Sequence, residues 1–186
     1  MPLANPPLPF GLRDVKVYPI DDEGNVGSGV DLPAGQTFSF KEAETFEMLK
    51  GDDLTLASHG GGPTVSWELE SGGISLEAYQ VIMGGTITNT GTEPNLVQTY
   101  TKGALDQKPY FQVEGQAISD SGGDFHCVVY RCKADGGFDA SFSNSKFWVS
   151  KATGTGFGNV QPGGDLTLYQ FIQNETVVAV AELTRA

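Results

Sequence analysis

Hydrophobic and polar residues alternate with a period of two through much of the chain, the mark of half-buried β-strands. PTVSWELES is the cleanest case: Val65, Trp67 and Leu69 share one face, and Thr64, Ser66, Glu68 and Glu70 share the other. LRDVKVYPI reads as a strand closed by the turn DDEGN. KFWVSKATG, LTLYQFIQN and VVAVAEL read as further strands, the last two separated just after Asn174. One segment changes period. In SLEAYQVIMGG and the residue before it, Ile74, Ala78, Val81 and Ile82 make an apolar stripe of helical spacing. Ser75 is a good N-cap, Glu77 suits the first turn, and Gly84 and Gly85 end the helix.

Two strand patterns carry charge where an apolar residue is expected. TFSFKEAETFEMLKG, from Thr37, has Phe38, Phe40, Phe46 and Met48 on its even face, with Glu42 and Glu44 between them. A strand interrupted in this way is expected to leave the core partway, as a bulged or protruding hairpin with LKGDDL at its tip. YFQVEGQAISDSGGDFHCVVYRC reads as two strands on a two-residue Gly122-Gly123 turn. That register puts Phe111, Val113, Gly115 and Ala117 on a core face with Val128, Tyr130 and Cys132, and lets Tyr130 cover Gly115. The other face places Glu114 opposite Arg131 and Gln112 opposite Lys133, with Gln116 beside them. Such pairs contribute about 0.2–1 kcal/mol each, so this face is expected to be wet and charge-balanced.

Composition agrees with a mainly β chain. Of 186 residues, 25 are glycine and only 18% are charged, which favours turns over long surface helices. The expected architecture is a single β-sandwich or barrel over residues 12–186, with one short flanking α-helix and a long protruding loop. Residues 1–11, with four prolines before Phe10, read as an extended N-terminal arm outside the core. The formal net charge of −12 argues against gripping nucleic-acid phosphates. The N-terminus lacks the basic and apolar regions of a signal peptide, and no apolar run approaches the ~18 residues of a membrane span. Cys127 and Cys132, five apart in one strand, lie about 16 Å apart if extended and on opposite faces. That is too far for a bridge, so both are expected reduced and packed.

No constellation for catalysis is legible. His59 and His126 stand alone, with no zinc-ligand spacing around them. There is no nucleophile elbow and no Walker loop; GTGFG lacks dinucleotide spacing, and DDEGN lacks that of a calcium loop. The chain is therefore expected to be no enzyme and to need no cofactor or metal.

LKGDDLTLASHGGGPTVSWELESGGISLEAYQVIMGG followed by KPYFQVEGQAISDSGGDFHCVVYRCKADG resembles the major tail proteins of long non-contractile-tailed bacteriophages, the tail-tube subunits. The likeness is diffuse from Leu12 to about Leu183, and strongest at Val65–Gly85 and Pro109–Gly137. It implies a tail-tube-type β-sandwich whose subunits form six-fold rings. The rings stack into the tube through which the genome is ejected, without specific DNA binding. Partners would be other copies and the tape-measure, terminator and distal tail proteins; the location would be the virion tail, after synthesis in the bacterial cytoplasm, with no membrane. The family's inter-ring loop would fall on EAETFEMLKGDDLTLASHGG, with Glu42, Glu44, Glu47, Asp52 and Asp53 as contact candidates. A channel-lining sheet would present Gln112, Glu114, Gln116 and Arg131 to the lumen. Many relatives carry an added immunoglobulin-like domain, which is not expected within these 186 residues. The alternatives are a related tail component, such as a terminator or secretion-tube-like protein, and a carbohydrate-binding β-sandwich. The last would need exposed aromatics, whereas Trp67 and Trp148 sit in strand-like apolar patterns that read as core.

Overall fold

A computed structural model describes residues 8–73, 75–137, 139, 144–145, 147–160 and 164–180. The fold is mainly β with one short helix. In chain order the elements are β1 (Pro9–Pro19), β2 (Val30–Asp31), β3 (Gly35–Gly51), β4 (Leu54–Ser71), α1 (Leu76–Met83), β5 (Thr86–Thr90) and β6 (Val97–Thr101). There follow β7 (Phe111–Ser119), β8 (Asp124–Ala134), β9 (Ser150–Phe157), β10 (Asn159–Val160), β11 (Leu166–Thr167) and β12 (Tyr169–Asn174). The main sheet runs β2-β1-β7-β8-β9-β4-β3, with β12 added to β8. All its pairings are antiparallel. β5–β6 and β10–β11 form two small separate ladders.

β8 is where the sheet divides. Its first half, Asp124–Val129, pairs with β12, and its second half, Arg131–Ala134, pairs with β9. The split lets β3, β4 and β9 fold over β1, β7 and β8, so that two apolar faces meet. Val65, Trp67 and Leu69 of β4 are buried there with Val15, Val17, Phe111, Val113, Val129 and Cys132. Trp67 meets the Phe111 ring edge-on, with centroids 5.3 Å apart. Each such side chain contributes about 1.5–3 kcal/mol by leaving water.

α1 forms as its sequence predicts. The Ser75 hydroxyl accepts from the Ala78 N–H at 3.2 Å, and Gly84 ends the helix at φ 74°, a conformation that favours glycine. Ala78, Val81 and Ile82 pack into the core; Ile74 lies outside the described residues.

Several expectations need correction. β1 begins at Pro9, and Pro9 and Phe10 pair with Ser119 and Ile118, so the tail end of the predicted 1–11 arm belongs to the sheet. Residues 1–7 lie outside the described residues. KFWVSKATG becomes strand only from Ser150, and Trp148 is half-buried outside the core cluster. The start of VVAVAEL, through Val180, forms no strand; its remaining residues lie outside the described set.

The largest correction is to the β7–β8 hairpin. Its turn is the four residues Asp120–Gly123, closed by the Ser119 N–H to Gly123 carbonyl bond at 3.1 Å. Glu114 therefore faces Val128, Gln116 faces His126, and Val113 faces Val129. That is a three-residue slip from the two-residue turn, and an odd slip exchanges the two faces of a strand. Val128 moves off the core face and Val129 moves onto it. A bulge at Tyr130 and Arg131 then adds one residue, so Cys132 returns to face Phe111. Cys127 and Cys132 thus share one face instead of lying on opposite ones. Both are free thiols. Burial pushes Cys127 up to about 12, reinforced by the Glu114 charge, and pushes Cys132 well above its ordinary value. Both stay protonated and unreactive near neutrality. Gly115 is covered by an aromatic ring, but the ring is Phe38 of β3, not Tyr130.

Candidate functional site

Two regions stand out for carboxylates placed where strand alternation expects apolar residues. The first is the far half of the β3–β4 hairpin. β4 pairs with β9 only from Ser71 to Val65. Beyond the Glu42–Val65 pair, β3 and β4 continue as a two-stranded ribbon to the Gly51–Leu54 pair. At ~3.3 Å per residue the ribbon projects about 30 Å. Its tip is the two-residue turn Asp52-Asp53, at φ 48° and 64°. Two positive φ values define the hairpin turn that matches strand twist, and Asp tolerates them. Bulges between Glu44 and Phe46 and between Leu49 and Lys50 twist it further.

The ribbon is apolar as well as acidic. Phe46, Met48, Leu49, Leu54 and Leu56 are each more than half exposed. Glu44, Glu47, Asp52 and Asp53 are exposed along the same ribbon. Glu42 differs from them: at the ribbon base it accepts a hydrogen bond from the Tyr169 hydroxyl at 2.7 Å, tying β3 to β12. The predicted protrusion and its tip are thus observed, as ladder-paired strands rather than an irregular loop.

The second region is the face of β7 that points away from the core. Gln112, Glu114 and Gln116 were expected to be wet, and are instead buried, at 1%, 0% and 5% exposure. Across on β8, the slipped register brings Asp124 and His126, both fully buried, to this face. His126 Nδ1 lies 3.0 Å from Glu114 Oε1, and its Nε2 lies 2.9 Å from Asp124 Oδ2. Asp124 also accepts from Gln116 Nε2 at 2.5 Å, Asn174 Nδ2 at 2.8 Å and the Val178 N–H at 2.8 Å. The Tyr18 hydroxyl donates to Glu114 Oε2 at 3.3 Å. Residues 175–180, after β12, lie across this face. Besides the Val178 N–H, the Val178 carbonyl accepts from Gln116, and the Val180 carbonyl lies 3.5 Å from the Tyr18 hydroxyl as a second acceptor for the proton it offers Glu114.

Burial disfavours charge on both His126 and Asp124, but the bonds win. The two carboxylates hold His126 above its ordinary pKa. The Val178 N–H, His126, Asn174 and Gln116 hold Asp124 below its own. The same arrangement is a poor metal site, because both imidazole nitrogens already meet carboxylates. Among the described residues no group of His, Cys, Asp and Glu is arranged to hold a metal ion.

Arg131 does not join this cluster. It sits on the bulge beside Phe157, with its guanidinium carbon 4.1 Å from the centroid of the Tyr110 ring. Lys133 lies 4.8 Å from the same ring, on a groove shared with Asp21, Glu23 and Lys108. The predicted Glu114–Arg131 and Gln112–Lys133 pairs do not form. Sequence reading missed Asp124 and set His126 aside as isolated. The available signal was the spacing of SDSGGD, which accommodates a four-residue turn as readily as a two-residue one. No protein-family model matches the chain, and no curated protein matches it in sequence.

Proposed function

We propose that this chain is a structural subunit of a phage tail tube, polymerising into stacked hexameric rings that conduct the genome during ejection. The observation that carries the reading is the β3–β4 ribbon. Isolated two-stranded hairpins are marginal in water, yet this one projects about 30 Å with five large apolar side chains more than half exposed. Large apolar side chains exposed on both faces of a projecting ribbon mark a contact surface. In this reading the ribbon docks on a different patch of the next subunit, a head-to-tail contact that can repeat along an axis. Glu44, Glu47, Asp52 and Asp53 would rim that contact, and Phe46, Met48, Leu49, Leu54 and Leu56 would fill it. Among the described residues β12 pairs on one side only, with β8, which leaves a strand edge for a neighbour within a ring. A net charge of −12 suits a conduit that must not retain DNA.

The test is negative-stain microscopy of the concentrated protein beside a variant lacking Glu47–Ser58. The intact chain is expected to form rings or tubes. The deletion variant is expected to keep a β-rich circular dichroism spectrum with cooperative unfolding and to stay monomeric in sedimentation. Normal tubes from the deletion variant would remove the ribbon from the assembly contact.

A further inference from the structure

The buried polar face carries an inference independent of assembly. We propose that residues 175–180 are a latch, closed over the Glu114–His126–Asp124 cluster only while that cluster holds its full set of charges.

The argument starts from donors and acceptors. An ionised carboxylate only accepts hydrogen bonds, and a neutral imidazole donates from one nitrogen only. His126 meets a carboxylate oxygen with each nitrogen, at 3.0 and 2.9 Å. Both bonds exist together with ionised carboxylates only when the ring is a cation. Asp124 in turn receives four donors, from Val178, His126, Gln116 and Asn174. Four acceptor bonds require it ionised.

The latch and the charges are coupled because 175–180 completes the cluster and helps bury it. The Val178 N–H supplies one of the bonds on Asp124, and its carbonyl holds Gln116 in place. Closed, the attraction between imidazolium and carboxylates acts in a poorly polarisable interior, where it is strong. With a neutral imidazole one of the two bonds between His126 and the carboxylates is lost while both acids stay buried without the balancing cation, a costly arrangement that water relieves once the segment lifts. Other polar groups also face the cluster. Tyr18 of β1 donates to Glu114, Gln112 lies next along β7, and Asn174 of β12 donates to Asp124. Lys16 lies opposite Glu114 in the β1–β7 register, but its Nζ lies 3.9 Å from Asp14 and 3.7 Å from Asp31. Among the described residues, His126 lies between these two carboxylates. Glu175, at the start of the segment, is exposed.

The sign follows. His126 is raised, so its contribution is complete below its ordinary 6.5 and is lost as pH climbs through the higher closed-state value. Asp124 is lowered, so its contribution is complete above its ordinary 3.8 and is lost as pH falls through the lower closed-state value. The latch is tightest between these two ordinary values. Above 6.5 its closing constant falls about tenfold per pH unit until the closed-state value of His126 is passed.

Hydrogen–deuterium exchange of the intact chain between pH 5.5 and 8.5, corrected for intrinsic rates, tests this. Protection of residues 175–180 is expected to fall as pH rises past 6.5, by the factor that the upward shift of His126 sets. The core amides of Val113 and Val129 should stay protected. Protection at 175–180 that does not change with pH, or that falls only together with the core, overturns the latch. His126→Gln should abolish the alkaline loosening, and its persistence in that variant overturns the proposal equally. Should that variant not fold, nitrogen shifts of the His126 ring in the unaltered chain decide. A ring already neutral at pH 6.5 with the segment still protected contradicts the mechanism.

Discussion

The β3–β4 ribbon and the β7–β8 face begin from the same sequence feature, carboxylates interrupting strand alternation, and end in opposite environments. Glu44 and Glu47 stand in solvent, while Glu114 and Asp124 are sealed. The difference lies in what surrounds each strand. β7 has β1 on one side and β8 on the other, and residues 175–180 lie over its polar face. Past Val65, β4 has lost β9, and the ribbon strands have only each other. A buried carboxylate must be fully hydrogen-bonded: Glu114 recruits an imidazole and a hydroxyl, and Asp124 the same imidazole, two side-chain amides and the backbone of a distant segment. An exposed carboxylate needs no partner, and so leaves its strand free for a second molecule.

That contrast can be broken by substitution. Asp124→Ala should have the largest effect, lowering unfolding free energy by about 3–5 kcal/mol, because it leaves His126 and three other donors short of an acceptor. Urea denaturation of the monomer measures it, and a loss below about 1 kcal/mol would show that the cluster is not held as tightly as its geometry implies. Gly115→Ala should come next, at about 1–3 kcal/mol, since a methyl there collides with the Phe38 ring that seals β3 onto β7. Phe38→Ala in the same background should recover part of that loss; strict additivity in the double mutant would mean the two residues do not touch. Glu47→Ala in the ribbon should be smallest, within about 0.5 kcal/mol for the isolated subunit. A ribbon substitution as damaging as Asp124→Ala in a non-assembled chain would erase the distinction between the two regions.

How much was legible depended on whether local chemistry or a distant contact decided the outcome. The helix was readable because Ser75, the stripe of Ala78, Val81 and Ile82, and Gly84 all act within a few residues of one another. The core face of β4 was readable because Val65, Trp67 and Leu69 alternate without interruption. The projecting ribbon was readable because Glu42 and Glu44 break an apolar face and Asp52-Asp53 suit a tight turn. The β7–β8 face was not, although its strands were found in the right places. Its register hung on whether the turn uses two residues or four. Serine, aspartate and glycine in SDSGGD permit both, and the choice moves every side chain of β8 before the bulge to the opposite face.

What the sequence by itself determined is therefore most of the elements: the strands of β3, β4, β7 and β8, where the helix starts and stops, and which strand leaves the core, but not the strand expected from Val177 nor the start of β9. These follow from propensity, capping and periodicity, which act over a few residues. What only the tertiary structure decided is which polar residues are inside. Glu114, Asp124 and His126 are scattered among ordinary strand residues, and nothing near them in the chain marks them as a group. They become one when the hairpin register sets Asp124 and His126 beside Glu114, and when residues some fifty positions away lie across them. Burial of a charge depends on the whole set of partners that can satisfy it, and that set is assembled only by contacts distant in sequence.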